Sequence, residues 1–352
     1  MTIFAGLKKR VPLLVFLGFY ALLSLLTYKQ YGLTNDEAED YFLGKLLYTK
    51  LKANDPVLEK SFVINEGQAT NLFAYDRIYL AVLYVFNPTE NYDFYHLLNL
   101  LAAATAFAAA YELLLHQTKN RWLALIGPVF LLLTPRFFGH LAANPKDAPF
   151  AISYLISLSL IILLKKPDRP LALLALGLSF GLTQSLRVIG YSIYPVYFAF
   201  CLLSSKKIPK LKELMNLVAR TLLIFCLGFL VHLVTLPYLG ADPLGNFVNL
   251  LQSGAQFPWK SQVLFNGQLL SAENLPWYYL PVWLLITTPL FIILLAGLSL
   301  KQIKNNQVVQ LFTLSLIVNL AIFFIVKPIV YDGLRHMLFL LPMLSVLASF
   351  GF

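Results

Sequence analysis

Of the 352 residues, 59% are hydrophobic and only 12% are charged, the mean hydropathy is +0.70 and the formal net charge is +10. The apolar runs are continuous rather than alternating and no long polar stretch separates them. This excludes a water-soluble globule and a β-barrel, and leaves helices that satisfy their own backbone in lipid. The basic excess is the ordinary property of a membrane protein with cationic inner loops, and implies no nucleic acid.

The segments apolar enough to act as membrane helices fall at about 11–29, 93–115, 121–135, 148–164, 170–186, 188–204, 217–237, 277–299, 307–326 and 337–352. The predicted fold is an all-α polytopic membrane protein of about ten transmembrane helices. It is read as one integral membrane domain over 1–352, with no soluble domain at its C-terminal end. The first helix follows Lys8, Lys9 and Arg10, lacks a small-residue cleavage signal after it, and is read as an uncleaved anchor.

The loop at 30–92 is the longest polar region. Within it, Thr34 and Glu37 have capping-box spacing. Tyr41, Phe42, Leu46, Leu47 and Leu51 recur at helical spacing, which predicts an amphipathic interfacial helix with Glu39 and Asp40 on its solvated face. A second apolar stretch at 72–86, interrupted by Asp76 and Arg77, reads as another helix on the membrane surface. With the N-terminus inside, 15 of the 27 basic residues lie on the inner side, against only Glu112, Asp168 and Glu213 among the acids. That bias fixes the orientation. Function then faces outward, through the long loop and the connections at 136–147, 238–276 and 327–336. Cys201 and Cys226 both lie in apolar runs and carry no redox signal.

Chemistry starts with the acids, which are scarce here. Asp36 and Glu37 stand where the first helix leaves the bilayer, a place where carboxylates are functional candidates; each also suits the first turn of a helix. Asn144-Pro145-Lys146-Asp147 opens a later helix, with Asn144 as its cap, but capping does not account for Arg136 or His140 at the bilayer edge. Arg187, Arg335 and His336 adjoin apolar segments on the outer side. Such an arginine either snorkels or offers its planar fork to phosphate. Pro276-Trp277-Tyr278-Tyr279-Leu280-Pro281 reads as an aromatic belt, and Trp259 as part of a belt or as a ring for a sugar to stack on. His116 and His232 read as packed. There is no phosphate-binding glycine loop, nucleophile elbow or metal-spaced cluster.

With these residues assembled, the chain resembles the GT-C superfamily of membrane glycosyltransferases, and within it the branch of the protein O-mannosyltransferases and the lipid A aminoarabinose transferase. The likeness rests on Asp36-Glu37, on Pro135-Arg136-Phe137 leading to Asn144-Pro145-Lys146-Asp147-Ala148-Pro149-Phe150, and on the Arg187 segment. It continues through Leu275-Pro276-Trp277-Tyr278-Tyr279 and Tyr331-Asp332-Gly333-Leu334-Arg335-His336. The resemblance implies a polyprenyl-phosphate-linked sugar as donor, a lipid, glycan or protein acceptor hydroxyl, and an inverting single displacement. It also implies that Asp36 is the base, that Glu37 places the acceptor and that Asp147 is a second acid of the cavity. Arg187 and Arg335, with His336, Arg136 and Lys146, would bind the donor phosphate. No cofactor is required and no metal site is assigned; use of a divalent ion is left open, with Asp36, Glu37 and Asp147 as the candidate ligands. The implied location is a bacterial inner (plasma) membrane with the site facing outward. The alternative is a transporter or flippase of a lipid-linked substrate, which would use the same cations without a base; no inverted repeat favours it.

Overall fold

Fifteen α-helices and one β-hairpin make up the described residues of a computed structural model, which are 3–53, 78–164, 169–204, 209–236, 239–240, 242–256, 259 and 261–352. In chain order the helices are α1 (Ile3–Thr27), α2 (Glu37–Ala53), α3 (Ile78–Phe86), α4 (Tyr92–Thr118), α5 (Ile126–Leu132), α6 (Pro135–Ala143), α7 (Asp147–Leu163) and α8 (Pro170–Leu186). They continue as α9 (Ile193–Ser204), α10 (Leu211–Thr235), α11 (Pro243–Ala255), α12 (Tyr279–Thr287), α13 (Leu290–Ser299), α14 (Gln307–Val326) and α15 (Leu340–Gly351).

Four of these, α1, α4, α10 and α14, are long and apolar enough to cross a membrane by themselves; the number is six if each of two bent pairs counts as one crossing. Val15, Leu26, Val234 and Ile325 on three of them are 65–80% exposed, a surface suited to lipid rather than water. The remaining apolar segments hold the shorter helices α7, α8, α9 and α15.

Two expected straight spans are broken. The 121–135 segment ends at Leu132 and resumes as α6 after a 66° bend, and 277–299 divides into α12 and α13 with a 108° bend. The cause is the same in both. Pro135 and Pro289 lack an amide donor and force the preceding residue out of the α region, and Thr134 (φ −96°, ψ 94°) and Thr288 (φ −101°, ψ 129°) are extended accordingly. The all-α expectation also needs one addition. Gln262–Phe265 pairs antiparallel with Gln268–Ser271, closed by Asn266 and Gly267, both at positive φ (52° and 76°), the pairing that a two-residue hairpin turn demands.

At the centre, α7 and α15 are buried on nearly all sides. Phe339 just before α15 meets Phe150 of α7 edge to face at 4.9 Å. Hydroxyls stitch α7 to α8, with Ser153 2.7 Å and Ser157 2.9 Å from Thr183, the polar glue of helices packed in lipid. Helices α8 and α10 approach closely because Gly181 faces Gly228: a Cβ on Gly181 would stand 2.9 Å from the Gly228 carbonyl.

Helices α2 and α3, between α1 and α4, pack on this bundle. Helix α3 packs against α2, where a Cβ on Gly44 would run into the Leu80 carbonyl oxygen. Of the stretch at 72–86, a helix is present from Ile78; residues 72–77, with Asp76 and Arg77, lie outside the described residues. The buried face of α2 runs through Glu37, Asp40, Tyr41, Gly44 and Leu47, whereas Phe42 is exposed. Asp40, expected in water, is 1% exposed. Helical spacing from Glu37 puts it on the face that meets Lys146, which α2's own sequence could not reveal.

Candidate active site

The site is assembled where α2, α6, α7 and the segment before α15 meet. The chain leaves α1 through a short turn and enters α2 with half a capping box: the Thr34 amide donates to Glu37 Oε2 at 2.6 Å. The Thr34 hydroxyl instead reaches the Ala143 carbonyl of α6 at 3.4 Å. Glu37 is 0% exposed, and its Oε1 lies 2.5 Å from Nε2 of His96, itself 1% exposed, on α4. One turn along α4, Asn99 accepts from the Tyr79 hydroxyl (2.9 Å) and donates to the Ala142 carbonyl (2.7 Å). These contacts pin the first turn of α2, and Asp36 stands just ahead of it.

Asp147, 2% exposed at the start of α7, sits between two guanidinium groups. Its Oδ1 accepts from Arg187 Nη2, and its Oδ2 accepts from Arg335 Nε at 3.0 Å. Arg187 reaches it because the residue is extended (φ −153°, ψ 134°) between α8 and the short turn at Val188–Ser192. Arg335 also donates through Nη2 to Asp36 Oδ2 and through Nη1 to Asp332 Oδ2 at 3.3 Å. One guanidinium thus collects carboxylates from three separate stretches of chain. Lys146 lies 2.6 Å from Asp40 and 4.0 Å from Asp36. Arg136 donates to the Asp332 carbonyl at 3.0 Å.

A cavity of about 230 Å³ opens among these groups, lined by Thr34, Asn35, Asp36, Asp40, His140, Ala143, Asn144, Asp332 and Arg335. That volume suits a monosaccharide-sized group. Burial alone would raise the Asp36 carboxyl, but Arg335 and Lys146 together hold it below the usual carboxylate range. Asp40 goes the other way: burial pushes it up to about 6 despite Lys146. Burial, aided by Arg136, lowers His140 to about 4. Burial and the nearby Arg187 lower His336 to about 3, so both imidazoles are neutral at physiological pH.

Of the residues singled out in the sequence, Asp36, Asp147, Arg187, Arg335, Arg136 and Lys146 come together here. Glu37 does not line the cavity; its carboxylate is turned to His96 and Thr34. His336 is half-buried near Asp147 with its ring against Tyr331 (4.5 Å, edge on), and carries no charge to offer a phosphate. Trp259 stacks on Tyr331 at 4.3 Å, so that face of its ring is already covered. His232 is packed as expected, 2.7 Å from the Tyr191 hydroxyl. Among the described residues, no group of three or more His, Cys, Asp or Glu side chains is placed to hold a metal ion. Sequence reasoning missed His96; the available signal was a histidine and an asparagine three residues apart on one face of an otherwise apolar helix. No protein-family model matches the sequence, and no curated protein matches it either.

Proposed function

We propose that this chain is a membrane glycosyltransferase that moves a sugar from a polyprenyl-phosphate donor to an acceptor hydroxyl, on the outer side of a bacterial inner membrane that it crosses about ten times. The observation that carries the reading is the convergence of Asp36 and Arg335, 299 residues apart, on one monosaccharide-sized cavity, with Asp147 holding Arg335 from behind it across 188 residues. Scattered ionisable groups brought together in an apolar protein are hard to account for by packing alone.

In this mechanism Asp36 Oδ2 is held by Arg335, while Oδ1 has no partner among the described residues and is the atom that accepts the acceptor's proton. The acceptor oxygen then attacks the anomeric carbon from the face opposite the phosphate. The anomeric carbon–oxygen bond breaks, its electron pair stays on the phosphate, and the configuration inverts. Arg335 and Arg187 are the cations that meet the growing phosphate charge at low dielectric. As Arg335 turns toward that charge it leaves Asp36, whose basicity rises when the proton arrives. Asp147 keeps both guanidinium groups aimed at the same point.

The test is transfer from polyprenyl-phosphate hexoses and pentoses by the purified protein, compared with Asp36→Asn. Loss of a positioned base lowers kcat by about 10²–10⁴-fold, with donor binding retained. Full turnover in Asp36→Asn removes the base assignment. Donor translocation across vesicles without transfer to any acceptor replaces the enzyme with the carrier.

A further inference from the structure

Among the polar groups at the cavity without a role in this mechanism, a histidine ring nitrogen stands out. His140 lines the cavity from α6, and its Nε2 is buried with no hydrogen-bond partner among the described residues. A buried donor or acceptor left unpaired is costly, so this atom needs a reason. Its chemical identity follows from its neighbours. The backbone amide of Asp147 donates to Asn144 Oδ1 at 2.9 Å, which fixes the orientation of the Asn144 side-chain amide. Asn144 Nδ2 therefore carries the hydrogens. It gives one to Asp147 Oδ2 at 3.0 Å and faces His140 Nδ1, also at 3.0 Å. Nδ1 of a neutral imidazole in that position is the acceptor, and the single ring proton sits on Nε2.

We propose that His140, locked by Asn144 as the Nε2–H tautomer, donates a hydrogen bond to one oxygen of the sugar that occupies the cavity, and so reads that oxygen. The inference rests on the glycosyltransferase reading and assigns it a specificity residue. The chemistry of the lining supports it. Asp36, Asp40 and Asp332 bring carboxylate oxygens, which when ionised only accept hydrogen bonds. A sugar hydroxyl that donates to one of them still presents a lone pair, and a neutral N–H meets that need without adding a cation. Asn144 ties this reader to Asp147, so the residue between the two arginines also sets the proton on His140.

The experiment pairs substrate and protein deletions. Donors carrying glucose, mannose, galactose or arabinose on polyprenyl phosphate are screened first, and the best is then remade as a series of single deoxy sugars. In the wild type, one deoxy position lowers kcat/KM about tenfold, the worth of one hydrogen bond. His140→Phe shows the same loss with the complete sugar and no further loss with that deoxy analogue, whereas His140→Gln, which keeps an N–H donor, recovers part of it. Nitrogen NMR of histidine-labelled protein, with the His140 signal assigned by its absence in His140→Gln, reports the tautomer. Nδ1 is unprotonated in the wild type, and in Asn144→Asp the proton moves to Nδ1. Deoxy penalties that are equal in wild type and His140→Phe, or a protonated Nδ1 in the wild type, overturn the inference and leave the transferase standing. A wild type that turns over none of the donors removes the transferase reading and this inference with it.

Discussion

Asp40 gives the sharpest test of the electrostatics, because its buried reading predicts a pH-dependent stability and its solvated reading predicts none. Burial holds its folded-state carboxyl at about 6, against 3.8 for the free group. At 1.36 kcal/mol per pH unit, the ionised form costs about 3 kcal/mol in the folded state. The folded protein binds the proton more tightly than the unfolded one. Stability from this group is therefore fully present below 3.8, is lost as pH rises through about 6, and is constant above that. Asp40→Asn abolishes the titration, and loss of the Lys146 contact adds only a fixed offset.

His140 and His336 act in the opposite sense. Both are neutral in the folded state and gain protons on unfolding below about 6.5, so they raise stability as pH rises toward that value. They are common to both proteins and cancel in the difference. Thermal unfolding in detergent, recorded from pH 4 to 8, should give a Tm for Asp40→Asn that gains steadily on the wild type up to about pH 6 and then runs parallel to it. A difference that is flat throughout refutes the reasoning and returns Asp40 to solvent.

Asp147→Asn removes the one carboxylate shared by Arg187 and Arg335. It should cost about 3–5 kcal/mol, as the loss of a partner from a buried ion pair does, seen as a lower Tm and a broadened gel-filtration peak; an unchanged Tm would mean that solvent reaches the pair. His96→Leu leaves the Glu37 carboxyl buried beside an apolar side chain and should destabilise by about 3 kcal/mol. The double variant with Glu37→Leu should recover much of that loss, and strictly additive effects would show that the two side chains are not coupled.

The charged residues of the site were legible because the chain has so few of them. Asp36, Asp147, Arg187 and Arg335 each stand at the end of an apolar run, and a membrane protein that keeps such residues gathers them. Less legible was which carboxylates face the cavity. Glu37 and Asp40 lie on the buried face of α2, but that face is defined by α3, α4 and Lys146, all distant in sequence. The breaks at Thr134 and Thr288 were signalled by the prolines that follow, yet the apolar runs continue across both and hydropathy alone reads through them. The hairpin was written in Asn266-Gly267. His96 stayed hidden because its partner is 59 residues away; its pairing with Asn99 on one face of an apolar helix marks a polar position without naming what it will meet.

Around the cavity the carboxylates of Asp36, Asp40, Asp147 and Asp332 are matched by Lys146, Arg187 and Arg335, while Arg136 holds the Asp332 backbone carbonyl. Such a cluster behaves as an internal ion exchanger. An incoming phosphate gains a guanidinium only by turning a carboxylate out, so the exchange itself yields little net attraction. Free phosphate or sulfate then has small reason to stay, however concentrated. An anion carried on a long hydrocarbon is instead kept at the site by the membrane itself, since its tail stays in the bilayer with about 25 cal/mol for each Å² of apolar surface kept out of water. Retention should therefore scale with the length of the tail and respond only weakly to ionic strength, which keeps the cleft clear of the common anions of the medium.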